Sequence, residues 1–307
     1  MPKGSDNNII RKLEEQERKE GGLPPLLEFY QRLLRIQSKA AQHIGLPKLS
    51  LTEETISERI EHGLPLIGFD ELTLDWSLLH DTFAEVTTTF AEYPQLFGTL
   101  PENLRELGSS RLLTQETVKA WFEGSELPSK WMVSDTDTCL LESIIHATLK
   151  PFLASYSKVL LGLVNQEKWR CRYCPICGGN ADFAFLDKER GARWLLCSRC
   201  DTEWLFQRLQ CPHCGTQSQN DLAYFTDDEG IYRLYVCEQC KRYLKAIDLQ
   251  RTKSEVLLPL ERLLTLDIDT QAREYGYNPC GGDDAKLRGD TSQTKSSGNH
   301  EQSTPSP

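Results

Sequence analysis

The sequence predicts an α+β protein, with an N-terminal multihelical domain followed by two small cysteine-built metal modules of ribbon type. Three observations predict it. Residues 23–168 carry apolar side chains at three- and four-residue spacing, broken at intervals by Gly and Pro. After Trp169 the texture changes to short alternating segments separated by turn residues, the pattern of hairpins. Nine of the eleven cysteines fall between Cys171 and Cys240, and eight of them form four C-x-x-C pairs.

The elements follow in order. Residues 1–22 are polar and charged with few apolar positions, so a flexible N-terminal arm is expected. From Leu23 the set Leu26, Leu27, Tyr30, Leu33 and Leu34 makes one apolar face of a helix running to about His43. A short helix begins near Thr52. A longer helical pattern spans Phe69 to Tyr93, with Leu74, Leu78, Leu79, Phe83, Val86 and Phe90 as core candidates. Its Thr87-Thr88-Thr89 run needs packing to stay helical. Thr114 is placed to cap a helix carrying Val118, Trp121 and Phe122. Asp135 to Asn165 is the longest helical stretch, with a buried spine from Leu140 to Leu163 that includes Val159. Pro151 predicts a break or kink near Lys150. Residues 169–250 hold the metal modules. Residues 251–280 form a C-terminal helical segment, split at Pro259. Residues 281–307 lack apolar anchors and are expected to be a disordered tail.

The pairs are Cys174/Cys177, Cys197/Cys200, Cys211/Cys214 and Cys237/Cys240. A C-x-x-C turn presents two thiolates on one side of a tight loop, and two turns supply a tetrahedral site. Nineteen residues separate the first pair from the second, twenty-two the third from the fourth, and ten the second from the third. The first and third pairs share Pro within the turn and Gly after it (Cys174-Pro175-Ile176-Cys177-Gly178 and Cys211-Pro212-His213-Cys214-Gly215). The stretch therefore reads as a tandem duplication. One site takes Cys174, Cys177, Cys197 and Cys200, and the other takes Cys211, Cys214, Cys237 and Cys240. Interleaved pairing is the alternative. All-sulfur ligation admits zinc or a single iron, and spacing does not choose between them.

Four thiolates close a site to water and substrate, which argues against hydrolytic chemistry. No phosphate-binding loop, dinucleotide fingerprint or nucleophile elbow is present. A net charge of −10 disfavours a nucleic-acid or anionic-membrane binder, and no apolar run is long enough to span a bilayer. Metal-type thiols and the absence of a visible signal peptide point to the cytoplasm. Glu203 and Trp204 are candidate partner contacts, with the alternative that Trp204 packs the small ribbon core. His213 is expected at the surface, since four cysteines already fill its site. Cys139 is expected in a helix interior. Cys171 reads as a spare thiol, with substitution for Cys174 or a disulfide to Cys280 as alternatives.

These residues resemble a known family, the formate dehydrogenase accessory proteins of FdhE type. The match is carried by Gly191-x-Arg193-x-Leu195-x-Cys197-Ser198-x-Cys200-x-Thr202-Glu203-Trp204, Cys211-x-x-Cys214-Gly215, Cys237-x-x-Cys240-x-x-Tyr243-x-Lys245 and Glu274-Tyr275-Gly276-Tyr277-Asn278-Pro279. It covers about Cys174 to Pro279. The resemblance implies a helical domain followed by two rubredoxin-like modules that bind two iron ions through the eight paired cysteines. It also implies contact with the catalytic subunit of formate dehydrogenase during maturation or export, and no turnover of its own. Arg262 stands where the resemblance implies an acidic residue. A rubredoxin-type electron carrier and a zinc-ribbon nucleic-acid module are the alternative functions, and a homodimer is left open.

Overall fold

The computed structural model describes residues 5–47, 49, 51–109, 113–128 and 135–279. The segment expected to form a disordered tail lies outside them, as does Cys280.

Among the described residues eight α-helices come first: α1 (Ser5–Glu20), α2 (Pro25–His43), α3 (Glu53–Glu61), α4 (Trp76–Ala91), α5 (Pro94–Phe97), α6 (Glu102–Ser109), α7 (Gln115–Glu123) and α8 (Asp135–Leu160). The local chemistry explains where several begin. Thr52 and Thr114 accept the backbone N–H three residues on, at 3.2 Å in both cases, and so cap α3 and α7. Asp75 accepts from Ser77 and Leu78 at the start of α4. The threonine run stays helical because each hydroxyl donates to the carbonyl four residues back and the apolar face beside it is buried. Helices α2, α4, α6 and α8 pack on one another around Phe29, Phe83, Phe90, Leu107, Leu141 and Phe152.

Three expectations for this region are corrected. Residues 5–20 are a helix, not a loose arm, because Ile9 and Leu13 are fully buried against Leu27, Leu34, Leu260 and Leu263. Helix α8 runs unbroken through Pro151. Proline denies a hydrogen bond to the carbonyl four residues back, and here the buried Gln37 side chain donates to that Ala147 carbonyl at 2.7 Å. Val159 and Leu163 are exposed, so the spine runs to the buried Leu160 and leaves those two out.

The remaining chain forms one six-stranded sheet: β1 (Ala181–Leu186), β2 (Arg193–Cys197), β3 (Glu203–Leu205), β4 (Leu222–Thr226), β5 (Tyr232–Cys237) and β6 (Arg242–Asp248), in the order β3-β2-β1-β6-β5-β4. Every neighbouring pair is antiparallel except β1 and β6, which run parallel from Phe183↔Lys245 to Leu186↔Asp248. Each half has the same plan: a knuckle, a hairpin ending in the second knuckle, then a third strand. The parallel seam fuses the halves head to tail.

Helices α9 (Leu258–Leu264) and α10 (Leu266–Glu274) close the fold. They split at Thr265 rather than at Pro259, which lies in the first turn of α9 where its missing N–H costs nothing. Leu260 and Leu263 pack against α1 and α2, while Ile268 and Ala272 pack on Leu234, Val236 and Tyr243 of the sheet. The C-terminal segment thus joins the helices to the sheet.

Candidate metal centres

The fold brings the first cysteine pair to the second and the third to the fourth. The sulfurs of Cys174, Cys177, Cys197 and Cys200 all lie within 4.8 Å of one another, and so do those of Cys211, Cys214, Cys237 and Cys240. A tetrahedral ion with metal–sulfur bonds of about 2.3 Å needs sulfur–sulfur edges of about 3.8 Å. The observed edges include 3.6 Å for Cys174–Cys200, 3.5 Å for Cys177–Cys197, 3.7 Å for Cys211–Cys240 and 3.6 Å for Cys214–Cys237. The two clusters could each hold one metal ion, and their all-thiol donor set suits zinc or iron.

One local design recurs in all four knuckles. The first cysteine of each is tied to the residue five on: Cys174 N to Gly179 O, Cys197 N to Thr202 O and Cys211 N to Thr216 O, with Cys237 registered against Arg242 in the β5–β6 hairpin. Backbone N–H groups of Ile176, Arg199 and His213 donate to the sulfurs of Cys174, Cys197 and Cys211, each at 3.4 Å. The residue after each second cysteine adopts a left-handed backbone: Gly178, Asp201, Gly215 and Lys241. Glycine does this without cost. Asp201 and Lys241, both at φ 53°, do not have that freedom. Gly179 answers a different need, since a Cβ there would sit 2.9 Å from Arg199 Cδ and 3.1 Å from Cys197 Sγ.

The first cluster is wholly buried and belongs to the same core as the helices. Leu66 and Ile67 of the helical region donate to the carbonyls of Pro175 and Ile176 at 2.8 and 3.0 Å. From α8, His146 Nε2 bonds the Ser198 carbonyl at 2.8 Å and Ser157 bonds Thr202 at 2.7 Å. Thr202 in turn lies 2.9 Å from the Cys200 sulfur. Arg199 covers the Trp121 ring at 4.5 Å and donates to the Phe122 carbonyl at 2.8 Å. Burial depresses the His146 pKa to about 4.

A half-buried ionic network sits against the second knuckle. Asp201 pairs with Lys150 of α8 at 2.9 Å and with Arg262 of α9 at 3.0 Å. Arg262 also pairs with Asp182 of β1 at 3.0 Å and donates to the Cys197 carbonyl at 3.1 Å. Burial pushes both carboxyls up. For Asp201 the Lys150 and Arg262 charges outweigh burial and hold it low, whereas Asp182 stays raised. Arg262 was the departure from the family pattern, and here it is the link between the metal loop, the sheet and the last helices.

The second cluster is half-open, with Cys214 and Cys240 partly exposed. Its fourth knuckle is braced from the C-terminal segment: Asn278 N donates to Lys241 O at 2.8 Å, and Tyr243 N to Asn278 O at 3.1 Å. Tyr277 Oη and Lys241 Nζ both bond Glu238. Arg193, Arg208 and Arg242 line a small cavity beside Cys211 and Cys237. Arg193 donates to the Gln207 and Gln210 carbonyls and stands near Tyr235 and Cys211, and burial lowers its pKa to about 10. A thiolate-bound ion carries net negative charge, and these guanidiniums are placed to balance it.

Several sequence expectations are corrected. Trp204 is fully buried, with its Nε1 donating to the Cys171 carbonyl at 3.3 Å, so it is a core residue with no surface for a partner. Glu203 is half-buried on β3, and burial raises its carboxyl pKa. His213 is buried, not superficial, and its pKa is pushed down to about 3 by burial first and then by Arg242 and Arg172. Cys139 is exposed on α8. Cys171, by contrast, lies against the Gly63 carbonyl at 3.9 Å and outside both clusters, as expected of a spare thiol, its pKa raised by burial.

Similarity searches agree with this geometry. The FdhE central-domain family model matches residues 173–208, which contain the first cluster. The FdhE homolog of Aquifex aeolicus is 27% identical over 259 residues, covering 82% of this chain and 85% of that one. Protein FdhE of Salmonella arizonae is 26% identical over 233 residues, covering 72% and 69%. The crystal structure of the FdhE protein from Pseudomonas aeruginosa superposes with a TM-score of 0.55 at 21% identity, over 90% of this chain and 92% of that one. Family model, curated relatives and fold all support the FdhE family for this chain. The structural likeness concerns the fold alone and extends over most of both chains. No helix among the described residues is long and apolar enough to cross a membrane.

Proposed function

We propose that this chain is a cytoplasmic accessory protein that binds the catalytic subunit of formate dehydrogenase during its maturation or export and performs no turnover itself. The observation that carries the reading is the pair of four-thiol clusters within a fold like that of the FdhE structure. A cage whose four positions are all sulfur offers no site for substrate or activated water, so its role is to fix the shape of a binding scaffold. A tagged chain should recover the dehydrogenase catalytic subunit from extracts of cells that make active enzyme. Failure to do so would overturn the reading.

Iron in both cages is the proposed native state, as the family resemblance implies. Ferric tetrathiolate absorbs visible light and zinc does not. Elemental analysis and an absorption spectrum of protein purified anaerobically from its native cell should therefore show iron. Zinc alone in that sample would sink the assignment. One observation favours electron transfer as the second reading: the half-open cluster places Cys214 and Cys240 near the surface. Reversible reduction of that centre by the partner enzyme would distinguish a carrier from a scaffold.

A further inference from the structure

The two halves of the sheet differ at their leading strands. In the first half that strand is β1, and β6 lies along it in parallel. In the second half it is β4, and among the described residues nothing lies along it. Asp221 O accepts from Glu238 N, and Asp227 N donates to Tyr232 O, so these positions face β5. Alternation then directs the backbone groups of Leu222, Tyr224 and Thr226 off the sheet.

Native edge strands are commonly blunted by charge, proline or a bulge. The strand Leu222-Ala223-Tyr224-Phe225-Thr226 has no charge or proline, and its pairing with β5 is regular. Its aromatic side chains stand in solvent, Tyr224 at 54% and Phe225 at 56%. Phe225 stacks on the exposed Tyr275 at 6.5 Å, and Tyr224 packs against Tyr235 and beneath Arg233.

We propose that the free edge of β4 is a docking site for an extended segment of another protein, alternately apolar and basic, which adds a seventh strand. The duplication supplies the template. The strand that covers the equivalent edge is β6, which pairs through Lys245, Ala246, Ile247 and Asp248 and so sets the basic Lys245 beside two apolar residues. The basic character follows from the flanks: Asp221 stands at one end of β4, and Asp227, Asp228 and Glu229 stand at the other. A second copy fits poorly. Antiparallel pairing of two β4 strands about Tyr224 would set Asp221 against the copy's Asp227, and like charges directly opposite are destabilising. Head-to-tail pairing would need the β3 edge, which is three residues long and has its Leu205 N–H bonded to Gln166. The inference does not depend on which client the protein serves.

The test uses the full metal-loaded chain and a fluorescein-labelled peptide alternating valine and lysine, followed by fluorescence anisotropy. Saturable binding that weakens with added salt is expected, with much weaker binding of the valine–glutamate analogue. Tyr224→Pro removes an N–H that points away from β5, so the hairpin should survive while peptide affinity falls at least about tenfold. Asp228→Lys with Glu229→Lys should also weaken it. If Tyr224→Pro does not fold, N-methylation of alternate peptide bonds in the probe replaces it and should abolish binding to the wild-type chain. Absence of saturable binding, or equal affinity for the glutamate analogue, overturns the proposal. So does a folded Tyr224→Pro chain that binds normally. A dimer lost on Tyr224→Pro in sedimentation would assign the edge to a second copy. Binding seen only after removal of residues 281–307 would assign it to the tail. Either result overturns the proposed occupant.

Discussion

The two cysteine clusters use the same knuckles, the same sulfur geometry and the same hairpin plan, yet one lies inside the protein and the other at its margin. The first is held by contacts from α7, α8, α9 and the residue 66–67 loop. The second is braced by its own hairpin and by residues 277–278. The difference shows that metal-ligand spacing specifies a cage and leaves its depth to the elements around it. A buried cage becomes part of the main core, so its loss should be felt throughout. A marginal cage can fail locally.

The largest expected effect tests that distinction. Binding of a structural metal is worth about 10–16 kcal/mol, comparable with the whole stability of a domain at about 5–15 kcal/mol. Cys177→Ser should remove one of the two ions and lower the thermal melting of the helical signal in circular dichroism. Cys214→Ser should remove the other ion and leave helical melting close to wild type. Equal loss of helical stability in both variants would show the seam between β1 and β6 to be rigid enough to make the clusters one unit.

The network beside the first cluster should come next. Arg262→Met leaves the half-buried Asp182 and Asp201 without their shared cation, and a loss of about 1–3 kcal/mol is expected, between that of an exposed pair and that of a fully buried one. Asp201→Gly frees the left-handed backbone but strands Lys150 and Arg262, so a loss of similar size is expected. Denaturant unfolding measures both. A loss below about 1 kcal/mol would mean that solvent screens the network as it does a surface pair.

Acid should separate the halves by a smaller margin. His146 holds its pKa near 4 in the folded chain, against an ordinary value of 6.5. Between those values the unfolded chain binds the extra proton, so His146 contributes full stability above pH 6.5 and loses it as pH falls toward 4. At pH 5 the loss is at most about 2 kcal/mol. The difference in unfolding free energy between wild type and His146→Gln should shrink over that window. A pH-independent difference would place the imidazole in contact with water.

Much of the metal region was legible because its signals are local. The Pro/Gly knuckles and the gaps between pairs matched the clusters the fold assembles, and the alternating segments matched the strands. What escaped was set by distant partners. Ile9 and Leu13 are too few to announce a helix, and only Leu260 and Leu263, far along the chain, complete their pocket. Pro151 signals a break until Gln37, 110 residues from Ala147, supplies the missing donor. Trp204 follows polar residues in sequence and is nevertheless buried, because it joins the core that the sheet shares with the helices, and His213 is buried within its own knuckle. No local pattern marks a parallel pairing between the first strand of one module and the last strand of the next.

Lys241 provides the finest comparison, because it occupies in the second half the position that Asp201 occupies in the first. Both hold a left-handed backbone at φ 53°. A non-glycine residue there costs about 1 kcal/mol or somewhat more, and glycine would relieve it. The Lys241 side chain is exposed, pairing with Glu238 and lying 5.7 Å over the Tyr277 ring. Exposed pairs of this kind are worth about 0–1 kcal/mol. Lys241→Gly should therefore be neutral or stabilising by up to about 1 kcal/mol, whereas Asp201→Gly is destabilising. The shift in denaturation midpoint, with metal content measured in the same sample, checks the pair. A Lys241→Gly chain that loses metal or more than about 1 kcal/mol would show that the lysine side chain, and not backbone geometry alone, holds the fourth knuckle closed.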